Sequence, residues 1–199
     1  LVDIFELVYL PSANTFRFCR EKNLKRYETL LAFAFWETRT ENLAPLPNTL
    51  KEVESIGMLF PPADSILIKG GSPSLEEFSQ KADKRDVIHL ATHGILHPNL
   101  PLESSIMLGK NAIPVKDVMT LDLKAGLITL SACQTGIGKI FEGDEIVGLT
   151  RAFMYAGTPS VLSSLWPVSD ESTSLLMSEF FKNFKSGKDK ALRLALILR

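Results

Sequence analysis

Cysteine is scarce: the 199 residues hold two, Cys19 and Cys133. A disulfide framework needs more, so a reducing compartment and a cytoplasmic location are expected. Neither sign of charge is in excess. The formal net charge is −1, which offers no basic surface for direct nucleic-acid binding and no acidic tail. No apolar run approaches the length of a membrane span, so no membrane partner is expected. Internal repeats and low-complexity tracts are absent. Leu1-Val2-Asp3 has neither an initiator Met nor the layout of a signal peptide. Leu198-Arg199 ends inside a helical pattern. Residues 1–199 are therefore expected to be one module of a longer protein. The rest is globular usage, 45% hydrophobic and 23% charged, in a length that suits one core.

Apolar runs alternate with amphipathic stretches. Strands are expected at Ile4–Leu10, Leu30–Trp36, Ser65–Lys69, Asp86–Thr92, Leu123–Ser131 and Ser160–Trp166. Leu30–Trp36 is continuously apolar, as in a strand buried on both faces. Helices are expected at Thr49–Phe60, opened by a capping box Thr49-x-x-Glu52, and after Ser72-Pro73, with Ser as cap and Pro in the first turn. Further helices are expected at Asp144–Tyr155, stopped by Gly157, at Ser169–Lys185, and from Asp189. His97–Pro114, with three prolines, reads as an exposed loop with short edge strands. This alternation predicts an α/β fold, a three-layer sandwich with a mostly parallel sheet.

Two segments bear on chemistry. In Val87-Ile88-His89-Leu90-Ala91-Thr92-His93-Gly94 an apolar strand ends at His93, with Gly94 to turn the chain. In Leu127-Ile128-Thr129-Leu130-Ser131-Ala132-Cys133-Gln134-Thr135-Gly136 a second ends at Cys133. Sites in open parallel sheets form outside the carboxyl ends of strands. A thiol is weakly ionised at neutral pH, and an imidazole beside it takes its proton and later protonates a leaving amine. An oxyanion needs backbone N–H donors, which a glycine leaves uncovered. The alternative is an inert core thiol and a structural histidine. The pattern alone leaves both readings standing.

Metal fits less well. His89, His93 and His97 recur every four residues, but Val87, Ile88 and Thr92 favour strand and Gly94 and Pro98 break a helix. No glutamate follows as in a zinc-protease helix. Gly136-x-Gly138 lacks the Gly-Lys-Ser/Thr ending of a phosphate loop. No metal and no cofactor are expected. Cys19 reads as structural. Phe180, Phe181 and Phe184 read as core, and Lys182, Lys185, Lys188 and Lys190 as a solvated helix end.

His89-Leu90-Ala91-Thr92-His93-Gly94 and Leu130-Ser131-Ala132-Cys133-Gln134-Thr135-Gly136 resemble the two hallmark motifs of the CHAT domain, a caspase-like peptidase family related to separase. Leu10-Pro11-Ser12, Leu46-Pro47 with Glu52-Val53, Arg151-Ala152-Phe153 with Ala156-Gly157, and Ser164-Leu165-Trp166-Pro167-Val168-Ser169-Asp170 resemble further family segments in family order. The resemblance implies a His93–Cys133 dyad and an oxyanion hole from the amides of Gly94 and Cys133. It also implies a protein substrate, cut in a regulated way, and a regulatory helical-repeat domain or partner. Such domains commonly follow helical repeats. In separases an acid in the matching Leu-Trp-x-Val-x-Asp segment faces a substrate arginine, which points to Asp170. Ser169-Asp170-Glu171 is also an ordinary helix start. An apolar pocket around Trp166, taking Leu or Met, is the rival. A catalytically silent scaffold with the same fold is the alternative to a peptidase.

Overall fold

The computed structural model describes residues 12–22, 26–36, 43–97, 100–134, 144–164 and 168–186; for 132–134 and 144–147 it describes the backbone. The expected strand at Ile4–Leu10 and the helix from Asp189 lie outside these residues, as does Trp166.

Thirteen regular elements follow in order among the described residues: α1 (Ala13–Lys22), β1 (Leu30–Ala34), α2 (Thr49–Gly57), β2 (Ser65–Lys69), α3 (Leu75–Ala82), β3 (Val87–Ile95), β4 (Ser105–Leu108), β5 (Asn111–Pro114), α4 (Val115–Val118), β6 (Leu127–Gln134), α5 (Asp144–Tyr155), β7 (Val161–Ser163) and α6 (Asp170–Lys185). Five strands form a parallel sheet in the order β2-β1-β3-β6-β7. The hairpin β4–β5 adds antiparallel pairing to the end of β3. Because Gly94 pairs with Gln134 of β6 and with Ile106 of β4, the hairpin lies on the β1 side, past the end of β1.

The central strands are buried on both faces, which is why β1 reads as an unbroken apolar run and the start of β3 as one interrupted only by His89. Ile88, Leu90, Ile128 and Leu130 pack toward α3, α4 and α5 through Phe78, Val118 and Phe153. Val87, Ala91 and Leu127 pack on the other face toward α2 and α6 through Val53, Ile56, Met177 and Phe181. The result is a three-layer α/β/α sandwich. Phe180, Phe181 and Phe184 are core, as expected. The β1–β3 register is fixed at its start by Asp86, whose Oδ2 accepts from the amides of Glu28 at 2.8 Å and Thr29 at 2.9 Å.

Several expectations are corrected. α3 begins at Leu75, capped by Ser74 in a capping box with Glu77, not by Ser72. Ser72 Oγ instead accepts from the Lys110 amide at the tip of the β4–β5 hairpin. Thr49-x-x-Glu52 is not a capping box. Asn48 occupies the cap position of α2 without a side-chain cap bond. Thr49 Oγ1 donates to the Leu46 carbonyl, and Glu52 is buried in the core. β6 starts at Leu127 rather than Leu123, whose amide bonds the Ala156 carbonyl instead. His97–Pro114 holds the expected short strands, β4 and β5, with Leu100, Leu102 and the hairpin tip exposed; what differs is β4, which is fully buried. Gly94 makes no turn: β3 runs through His93 and Gly94 to Ile95 because β4 supplies a partner there.

Candidate active site

The long ladder between β3 and β6 positions the two residues singled out by sequence. It pairs Val87 with Leu127, continues in register, and reaches His93 opposite Cys133 and Gly94 opposite Gln134. Strands in such a ladder lie about 4.8 Å apart. The backbones of His93 and Cys133 are therefore immediate neighbours. Thr92, on the opposite face of β3 from His93, donates its hydroxyl to the Met107 carbonyl at 2.7 Å and ties the hairpin to this end of the strand.

The His93 ring is wholly buried, and neither ring nitrogen has an aligned hydrogen-bond partner among the described residues. Burial lowers its pKa below the ordinary 6.5; the Ala44 backbone beside the ring and the charge of Asp170 act in the opposite direction and do not reverse it. The folded protein thus keeps a neutral imidazole, the form able to accept a proton. The sign of the linkage follows. Above pH 6.5 the group is neutral in both states and contributes nothing. As pH falls below 6.5 the unfolded chain binds a proton that the folded chain refuses, and stability is lost down to the folded pKa. Urea unfolding from about pH 7 to about pH 5 should show the wild type losing stability relative to His93→Gln, by at most about 1.4 kcal/mol per pH unit. Parallel curves for the two proteins would contradict this.

Asp170 opens α6, with Ser169 as its cap. Its Oδ2 accepts from the Asn48 amide at 2.8 Å and from Asn48 Nδ2 at 2.7 Å. This joins the first turns of α2 and α6 near His93. Ser169-Asp170-Glu171 is thus a helix start as expected, with Ser169 as the cap and Asp170 and Glu171 as acids of the first turn.

One turn further along α2, Glu52 faces His89. Glu52 Oε1 lies 2.9 Å from His89 Nε2, and both side chains are essentially without solvent. The approach is oblique: neither atom has an aligned hydrogen bond. The other ring nitrogen of His89 is 2.6 Å from Thr129 Oγ1 on β6, and the Phe181 ring meets it edge-on. His89 therefore bridges α2 to both central strands and is not brought together with His93 and His97 as a ligand set. His97 turns away, its Nδ1 accepting from the Leu100 amide. Among the described residues no three His, Cys, Asp or Glu side chains cluster as a metal site would need. No helix among them is long and apolar enough to cross a membrane. Asn48 and Glu52 were not legible as site residues. Their only local signal is their place at a helix start, and both are diverted from it.

A mostly parallel sheet flanked by helices, with a histidine and a cysteine in register on its two central strands, is a caspase-like α/β architecture. The CHAT domain model matches residues 1–197, and the chain belongs to the CHAT domain family, a caspase-like family related to peptidases. Over 71 residues the chain is 35% identical to Tetratricopeptide repeat protein 28 of Mus musculus and, equally, to that of Homo sapiens. The matched stretch is 36% of this chain and 3% of those relatives.

Proposed function

We propose that the chain is a cysteine endopeptidase module that cleaves a protein partner, with Cys133 as nucleophile and His93 as its acid–base partner. The observation that carries the reading is the register of the β3–β6 ladder. It sets the two backbones side by side, which supports a reading in which the thiol passes its proton to the imidazole. The neutral state favoured for His93 suits a general base. In the proposed step the thiolate attacks the scissile carbonyl, and the imidazolium then protonates the departing amine. Amides of Gly94 and Cys133 are assigned to the oxyanion. The argument for Gly94 is its bare backbone beside His93, not a turn.

Asp170, at the same end of the sheet, is assigned to a substrate arginine; an apolar pocket around Trp166, taking Leu or Met, is the rival assignment. A carboxylate pairs with a guanidinium through charge-assisted hydrogen bonds. A helical-repeat domain or partner is assigned to control. Tetratricopeptide repeats are helix pairs, and the named relatives are tetratricopeptide repeat proteins.

A silent scaffold is favoured by one observation, the complete burial of His93. A regulated enzyme in a closed state accounts for the same burial. Thiol labelling separates them. A peptide electrophile is expected to modify Cys133 at least about tenfold faster than the half-buried Cys19, followed by mass spectrometry in the presence and absence of the helical-repeat partner. Equal labelling in both conditions would leave the scaffold.

A further inference from the structure

Asn48 breaks a local rule. Asparagine is among the best residues for capping a helix through its own side chain. Here it sits at the cap position of α2 with φ −86° and ψ −11° and makes no such bond. Those dihedrals are helical, whereas a capping side chain works from an extended backbone. Instead both of its N–H donors converge on one oxygen, Oδ2 of Asp170. The partner is 122 residues away in sequence, so no local preference selected it.

Asp170 shows the complementary feature. Ser169 already caps α6, its hydroxyl accepting from the Ser172 amide, so the aspartate is not consumed by its own helix. Among the described residues Asn48 is the sole donor to the carboxylate, and Oδ1 receives none. Two convergent donors on one oxygen fix the plane and direction of a carboxylate, leaving the lone pairs of the other oxygen oriented and unspent. The group is half-buried and close enough to His93 for its charge to act on that ring. A short, charged acceptor held at one angle beside a cleavage centre is suited to a cation carried by the residue before the scissile bond.

We propose that Asn48 is a specificity-positioning residue, holding Asp170 by one oxygen so that the other meets a substrate guanidinium. The proposal deepens the peptidase reading and depends on its assignment of Asp170 to the substrate. Asn48 touches neither the substrate nor the reacting atoms. Removing its side-chain amide leaves Asp170 held by the backbone N–H of residue 48 alone, so the carboxylate gains freedom to rotate and to hydrate, and an aspartate that must be reordered on binding discriminates less. The dyad chemistry is left alone.

The test uses binding rather than turnover. The Cys133→Ala protein is titrated with two fluorescent peptides, identical except for arginine or leucine before the scissile bond. The protein with Asn48 intact is expected to prefer arginine by about tenfold or more, the scale of a charge-assisted pair. Asn48→Ala is expected to reduce that preference by about fivefold, by weakening arginine binding and leaving leucine binding in place. Asn48→Ser keeps the backbone N–H that bonds Asp170 but removes the side-chain amide donor, and α2 loses no side-chain cap because Asn48 makes none. It should lose the same selectivity at an unchanged unfolding temperature, which answers the case in which the alanine variant does not fold. Asp170→Asn, which retains an acceptor for Asn48 but no charge, should abolish the preference. An unaltered arginine preference in Asn48→Ser overturns the positioning role. So does equal binding of the two peptides, or no binding of the arginine peptide, with Asn48 intact. Failure of the peptidase reading is seen separately, as labelling of wild-type Cys133 no faster than Cys19.

Discussion

Cleavage of a peptide substrate by the Cys133→Ala protein is expected to fall by on the order of 10⁴-fold or more, to the uncatalysed background. In the proposed mechanism the Cys133 thiol is the group that forms the acyl intermediate. His93→Ala is expected to lose nearly as much, because an unassisted thiol is mostly protonated at neutral pH. The double variant should be no worse than either single one. Residues that act as a unit give grossly non-additive losses, since removing the first member already idles the second. Steady-state turnover of an arginine-containing reporter peptide by the four proteins checks this. Additive losses, or measurable turnover by Cys133→Ala at the wild-type pH profile, would assign the chemistry elsewhere. Circular dichroism should show all four folded, since the ladder that aligns the two residues is made by the backbone.

The largest expected effect on stability lies at Glu52 and His89, away from the reacting groups. Both are buried, and each is the other's nearest polar neighbour across the α2–β3 contact. His89→Leu leaves the buried Glu52 carboxyl without its nearest polar neighbour. Losing one partner of such a pair costs about 3–5 kcal/mol. Glu52→Leu is expected to cost less, since His89 keeps its contact with Thr129. The double variant Glu52→Leu with His89→Leu should recover much of the loss, because replacing both members by apolar groups removes the unpaired group. Denaturant unfolding of the four proteins measures the coupling. A His89→Leu protein within about 1 kcal/mol of wild type would show that the pair is not a structural tie.

The sheet was legible because its strands are buried on both faces. Leu30–Ala34 is apolar without alternation, and Val87–Ala91 is interrupted only by His89; few other structures produce that pattern at strand length. The positions of His93 and Cys133 were legible for a different reason, their resemblance to family motifs. Propensity failed where a distant partner overrode it. Gly94 signals a break, yet β4 arrives from residue 105 to continue the strand past it. Glu52 signals a capping box, yet His89 draws its carboxyl inward. Asn48 signals a cap, yet Asp170 claims both of its donors. Ser72 and Ser74 both suit a cap, and only the Glu77 carboxylate returning to the Ser74 amide decides between them. Helix α1 carries Cys19 on a polar, largely exposed stretch with few apolar positions to betray it.

β3 is the strand that every other part of the sheet leans on, with neighbours on both sides along nearly its whole length. Hydrogen bonds in such a place open only when the entire sheet comes apart, whereas a three-residue strand such as β7 can fray alone. The His93–Cys133 step lies beyond that central stretch: β1 pairs with β3 only as far as Ala91 and β7 pairs with β6 only as far as Leu130, so the end of the ladder can open while the middle of the sheet stays closed. Separating the two residues therefore does not require unfolding the domain: opening the last steps of the ladder changes their spacing and leaves Val87–Ala91 paired on both sides.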